Sequence, residues 1–100
     1  MPDSQIEQVK TKLFDAGAGR IGNYDSCSWQ TKGIGQYRPL ENSNPYEGDL
    51  NKIHSTEEWL LEVVCSNNRI DEVINALLLA HPYETPAYSF WETNQHDIKK

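Results

Sequence analysis

One hundred residues with 15 acidic and 9 basic side chains carry a net charge of −6. The bases are spread along the chain, apart from Lys99 and Lys100 in the tail, so neither a phosphate backbone nor an anionic membrane finds a cationic footprint; no nucleic-acid and no membrane partner is expected. Hydrophobic residues at 37% with ten aromatics suit one globular domain rather than disorder.

Residues 3–16 read as a first helix. Ser4 and Glu7 form a capping-box pattern, and Ile6, Val9, Leu13 and Phe14 recur at helical spacing. Gly17 stands where a helix ends by turning left-handed. Residues 25–38 read as extended, with Cys27, Trp29 and Thr31 on one face and Gly33 and Gly35 predicting a bulge or sharp twist. Residues 39–48 are a loop by composition. Residues 57–65 give the strongest strand signal: Trp59, Leu61, Val63 and Cys65 on one face, Leu60 and Val64 on a second, partly covered one.

Asn67 or Asn68 is placed to cap a second helix, whose stripe is Ile70, Val73, Ile74, Leu77 and Leu78. Pro82 ends it, because the residue before proline avoids the helical region. A last strand is expected at Ala87 to Glu92, and residues 93–100 form a polar tail. The order α-β-β-α-β becomes the ferredoxin-like β-α-β-β-α-β once one strand is set in front. The expected fold is therefore α+β: a two-layer sandwich of antiparallel sheet and two helices over residues 1–92, lacking the first strand.

Gly17, Gly19 and Gly22 have the spacing G-x-G-x-x-G. A dinucleotide fingerprint needs a strand before the glycines and a helix after them. Here the helix comes first, and the negative end of its dipole repels phosphate. The glycines read instead as a helix-to-strand turn needing left-handed residues and close backbone approach. Two roles stay open for Arg20 in that turn: meeting an anion, or capping the carbonyls of the first helix.

The stretch from Ala80 to Tyr88 holds two prolines and the polar set His81, Tyr83 and Glu84. His81 and Glu84 are two candidate ligands for a divalent metal, fewer than the three protein ligands a catalytic metal wants. His54 and His96 lie in a loop and in the tail. No nucleophile elbow surrounds Ser26, Ser28, Cys27 or Cys65. The two cysteines stand 38 positions apart without a CxxC pair and read as small hydrophobes in strand-like runs. No signal peptide opens the chain, so the expected compartment is cytoplasmic.

Three ordered stretches carry a family resemblance: Gly-Ala-Gly-Arg-Ile-Gly-Asn-Tyr-Asp-Ser-Cys at 17–27, Tyr-Arg-Pro-Leu-Glu-Asn-Ser-Asn-Pro-Tyr-Glu-Gly at 37–48, and Ala-His-Pro-Tyr-Glu-Thr-Pro-Ala-Tyr at 80–88. Over residues 2–92 the chain resembles the Nif-three-like (YqfO/YbgI) family, and within it the inserted domain that also occurs as a short stand-alone bacterial protein. The resemblance implies a CutA- and PII-like fold and a homo-oligomer, expected to be a trimer. The family's dinuclear metal centre lies in flanking domains that this chain does not contain, so no cofactor is carried over. The family's stand-alone proteins begin with a strand ending in Val-Pro, and Met1-Pro2 stands at that junction. In a ferredoxin-like sheet that strand is interior, and buried orphan groups cost about 1–3 kcal/mol each. A rearranged or strand-exchanged oligomer is therefore expected in place of an open gap.

Function is less legible than fold. The first expectation is a non-enzymatic regulatory or small-ligand or ion-sensing module acting as a homo-oligomer. Its candidate binding residues are Gly17, Gly19, Arg20, Gly22, Asn23, Tyr24, His81, Tyr83 and Glu84. The glycine turn and the His81–Tyr88 connection are expected to face each other, with residues 38–54 as a contact loop. The alternatives are a metal-dependent hydrolase using His81 and Glu84, and a scaffold docking through Trp59 or Trp91.

Overall fold

A computed structural model describes residues 1–94. After a 3-10 turn at Asp3–Gln5, helix α1 spans Ile6–Asp15. Strands β1, Trp29–Tyr37, and β2, His54–Glu62, follow. A second 3-10 turn, Asn67–Arg69, leads into helix α2, Ile70–Ala80. The architecture is α+β, with two helices and a two-stranded antiparallel sheet.

The core is aliphatic. Ile6, Val9 and Leu13 of α1 are buried with Ala18 and with Val73 of α2, and Leu61, Val63 and Cys65 pack against them. A fully buried side chain of this kind contributes about 1.5–3 kcal/mol. No aromatic residue is fully buried, so the aromatics do not anchor this core. The second face of β2 is partly covered: Leu60 is exposed, whereas Glu58 on the same face lies under Tyr83.

The α1 stripe and its glycine stop are as expected. The N–H of Gly17 donates to the carbonyl of Phe14 and that of Ala18 to the carbonyl of Leu13. This is the Schellman pattern, closed by Gly17 at φ +106°. The Ser4–Glu7 capping box does not form. The chain enters through the 3-10 turn, Gln5 takes the N-cap position, and no side chain caps it. Asp3 faces the sheet instead, accepting from the Trp59 indole at 2.7 Å and pairing with Lys32. Neither Asn67 nor Asn68 caps α2, because both lie inside the second 3-10 turn, where the Ser66 hydroxyl donates to the Asn68 side chain. His81 is extended ahead of Pro82, as the proline dictates.

Both strands sit differently from the sequence reading. β1 begins at Trp29 because Cys27 is tied back to Gly19, and β2 ends at Glu62 because the Val64 carbonyl accepts the Gly19 N–H. Both cysteines, free thiols, therefore lie outside the strands. The register runs unbroken from Trp29↔Glu62 to Tyr37↔His54, so Gly33 and Gly35 make no bulge.

The last expected strand, Ala87–Glu92, is not formed: these residues have no ladder partner among those described. On the edge of β2 away from β1, among the described residues, the Met1–Pro2 segment lies alongside, with the Trp59 N–H donating to the Met1 carbonyl and Pro2 bridging Glu58. Of the polar tail at 93–100, residues 95–100 lie outside the described residues, His96 among them.

Candidate functional site

The glycine turn is built by backbone requirements. Gly19 has φ +79°, donates its N–H to Val64 at 2.7 Å and accepts from Cys27 at 2.8 Å. A Cβ there would lie 2.8 Å from the Cys27 carbonyl oxygen and 2.9 Å from the Phe14 ring. Gly19 thus joins the end of β2 to the approach of β1, at a spot where only glycine fits. Gly22 and Asn23 form the tip of a small turn closed by reciprocal bonds between Ile21 and Tyr24, whose ring is exposed.

Arg20 stands between two clefts. One, of about 170 Å³, is lined by Asp15, Gly17, Arg20, Cys65, Ser66 and Arg69. The other, of about 400 Å³, is lined by Phe14, Asp15, Arg20, Asp25 and Ser26. Arg69 extends across Gly17, where a Cβ would approach its Cδ to 3.3 Å, and its guanidinium donates to Glu72 at 2.9 Å. Arg20 makes no ion pair among the described residues.

His81, Tyr83 and Glu84 lie elsewhere. The glycine turn meets the first turn of α2 through Arg69, whereas His81 follows its last residue. Eleven helical residues, about 16 Å, separate the two. The expectation that they face each other is corrected: each connection borders α2, at opposite ends.

The His81–Glu84 turn packs on the sheet and on the loop between β1 and β2. The Tyr83 hydroxyl donates to the Glu58 carboxylate at 2.5 Å. The Tyr83 ring lies near those of Tyr37, Tyr46 and His81, at centroid distances of 5.8, 6.2 and 4.9 Å. Glu84 accepts the Asn44 N–H at 2.8 Å, and Tyr37 donates its hydroxyl to the Glu47 carbonyl. Glu58 also pairs with the Met1 ammonium at 3.3 Å, and its carboxylate fills the space over Gly35.

Burial pushes the Tyr83 phenol well above its usual range, and the hydrogen bond to Glu58 and that carboxylate's charge add to it. Tyr37 is raised too, by burial and by Glu47 and Glu58. Burial lowers His81, helped by the Met1 ammonium and opposed by Glu58. Its Nδ1 accepts the Tyr83 N–H at 3.1 Å, so the neutral ring carries its proton on Nε2.

Glu58, Tyr37, Gly35 and Arg69 were not among the candidates from sequence. A carboxylate in mid-strand opposite a glycine-rich strand is the one sequence signal for Glu58, and it needs the strand register to be read. Among the described residues, no group of three or more His, Cys, Asp or Glu side chains gathers to hold a metal. None of their helices is long and apolar enough to cross a membrane.

No protein-family model matches the chain. It is 36% identical over 100 residues to a Bacillus subtilis protein named GTP cyclohydrolase 1 type 2 homolog, matching all of this chain and 27% of that protein. Proteins of the same name from Halalkalibacterium halodurans and Mycobacterium tuberculosis are each 36% identical over 91 residues, 91% of this chain and 24% of theirs. The chain thus spans about a quarter of the length of the curated relatives it matches. A Bacillus cereus protein related to NIF3 has a crystal structure that superposes with a TM-score of 0.75 at 35% identity, covering 89% of this chain and 22% of that one. By sequence and by backbone alike, the chain belongs with the NIF3-related proteins, as the counterpart of about a quarter of their length.

Proposed function

We propose that residues 1–92 act as one non-catalytic, ligand-responsive module, assembled from several copies of itself and working in the cytoplasm. The observation that carries this reading is the cleft at the glycine turn, which Arg20 and Arg69 line together from two different connections. Guanidiniums grip carboxylates and phosphates with paired N–H bonds. Ser66 adds a further polar residue, while Asp15, also in the lining, limits how much negative charge the cleft accepts. The ligand class is therefore a small anion carrying one carboxylate or phosphate at this spot.

Self-assembly is supported by the short list of buried residues set against bare Trp29, Ile34, Leu60, Phe90 and Trp91. The family resemblance makes the module PII- or CutA-like and the assembly a trimer. Calorimetry of the purified chain with inorganic phosphate, simple carboxylates, GTP and other nucleotides tests the reading. Binding that weakens at least tenfold in Arg20→Ala supports it; no heat across the whole panel overturns it.

The relatives' name, which speaks of a GTP cyclohydrolase, favours a second reading, in which the chain is one part of a hydrolase; the metal-dependent form of that reading rests on His81 and Glu84. Metal analysis of untagged protein, followed by GTP hydrolysis assays with added divalent cations, separates the two.

A further inference from the structure

We propose that the two clefts beside Arg20 form one dipolar site that takes a free basic amino acid, such as lysine. The proposal rests on the ligand-responsive reading above: the group gripped at Arg20 and Arg69 becomes the α-carboxylate of that amino acid.

The site is organised around Gly19. Its N–H donates to the Val64 carbonyl at 2.7 Å, and its carbonyl accepts the Cys27 N–H at 2.8 Å. The smaller cleft takes part of its lining from the chain just past Val64, through Ser66 and Arg69. The larger takes Asp25 and Ser26 from the chain just before Cys27. Arg20 follows Gly19 and lines both clefts, as does Asp15, the last residue of α1, so the two clefts adjoin. The larger, about 400 Å³, is of the size of small-molecule sites, about 300–1,000 Å³. Ser26 has φ +56°, a left-handed conformation that serine rarely takes, and the Cys27 thiol donates to the Asp25 carbonyl across it. Asp25 and Ser26 therefore belong to a tight turn tied to Gly19.

Charge is laid out with a polarity. Ser66 and Arg69 precede α2, at the positive end of its dipole, whereas Asp15 stands at the negative end of α1. A carboxylate is favoured at the first end and an ammonium at the second. Among the described residues, Arg20, Asp15 and Asp25 make no ion pair, while Arg69 pairs with Glu72 at 2.9 Å. The unpaired groups are thus one guanidinium and two carboxylates, a set short of a cation. Two carboxylates oppose a phosphate chain or a dicarboxylate. A basic amino acid brings one negative and two positive charges, and completes the set.

Its α-carboxylate goes to Arg20, with Arg69 and Ser66 beside it, and its α-ammonium to Asp15. These opposite charges sit on one carbon, which matches Arg20 and Asp15 lining the same two clefts. The side chain then enters the larger cleft. Its methylenes lie along Phe14, and its terminal cation reaches Asp25 and Ser26.

Calorimetry at low ionic strength, where exposed charges are least screened, tests the assignment. Lysine is compared with norleucine, which lacks the distal ammonium, with cadaverine, which lacks the carboxylate, and with glutamate. We expect lysine to bind at least tenfold tighter than each. Asp25 is exposed, so Asp25→Asn leaves the fold intact, which circular dichroism checks. It is expected to lower lysine affinity at least tenfold, to the level of norleucine, without changing norleucine. Arg20→Ala is expected to lose both. A norleucine, cadaverine or glutamate that matches lysine overturns the proposal, and so does an Asp25→Asn chain that keeps its preference for lysine. Binding of phosphate or a simple carboxylate, with no heat from lysine, overturns this assignment and leaves the reading above standing. Silence to every probe overturns both.

Discussion

The Glu58 carboxylate lies across Gly35, so close that a Cβ on Gly35 would sit 2.6 Å from its Cδ. Paired residues are Gly33↔Glu58 and Gly35↔Thr56, so the contact is a diagonal one across the ribbon. Glu58 is held there by Tyr83 and the Met1 ammonium. Gly35→Ala forces the carboxylate aside and breaks those bonds. We expect a loss of about 1–3 kcal/mol, or a thermal midpoint lower by at least about 4 °C. Gly33→Ala, which adds a methyl in open space, is the control and is expected to be neutral or slightly stabilising. Equal midpoints for the two variants would refute this account.

Tyr83 links the end of α2 to the sheet through its hydroxyl. Its phenol is raised in the fold, so the folded state holds the proton more tightly than the unfolded one. The stability that follows is fully present below the unfolded tyrosine value near 10 and is lost as pH climbs above it. We expect denaturation curves of the parent chain to weaken above about pH 10. Tyr83→Phe should be less stable by about 1 kcal/mol at neutral pH and show a flatter alkaline limb. Identical alkaline limbs in both proteins would disprove the link.

His81 gives the opposite sign. Burial and the Met1 ammonium lower it, so the unfolded chain takes up the proton first. This contribution is complete above the ordinary histidine value near 6.5 and fades as pH falls through it. His81→Asn keeps an acceptor for the Tyr83 N–H but does not titrate. Urea midpoints measured from pH 7.5 to 5.5 should fall less steeply for His81→Asn than for the parent.

Legibility in the sequence tracked how local each cause was. The stop of α1 at Gly17 and of α2 before Pro82 needed only one residue's backbone preference, and both were readable. The Ser4 box failed because Asp3 found Trp59 and Lys32, partners 56 and 29 positions away, and the chain entered through a 3-10 turn. The Ala87–Glu92 strand had the right pattern, but a strand also needs a neighbour, and the pattern does not supply one. Glu58 over Gly35 depends on the parity of a nine-residue register that no short window reveals. Arg69 joins Arg20 only because α2 packs with its first turn against Gly17.

The same turn offers a test of why its glycines are there. Gly19 and Gly22 both have positive φ, +79° and +56°, so both charge an alanine about 1–2 kcal/mol for its left-handed backbone. Only Gly19 is also enclosed, by the Cys27 carbonyl and the Phe14 ring, while a Cβ on Gly22 meets nothing within 4 Å. A methyl at Gly19 must push the approach to β1 away from α1, stretching its bonds to Val64 and Cys27. Gly19→Ala is therefore expected to lose at least about 3 kcal/mol, the strain and the displaced hydrogen bonds together. Gly22→Ala should lose only the backbone part. Were the three glycines a phosphate cradle instead, Gly22→Ala would weaken nucleotide binding in addition to losing that backbone part. Thermal denaturation of both variants, run beside the calorimetric panel, separates a folding role from a ligand-holding one.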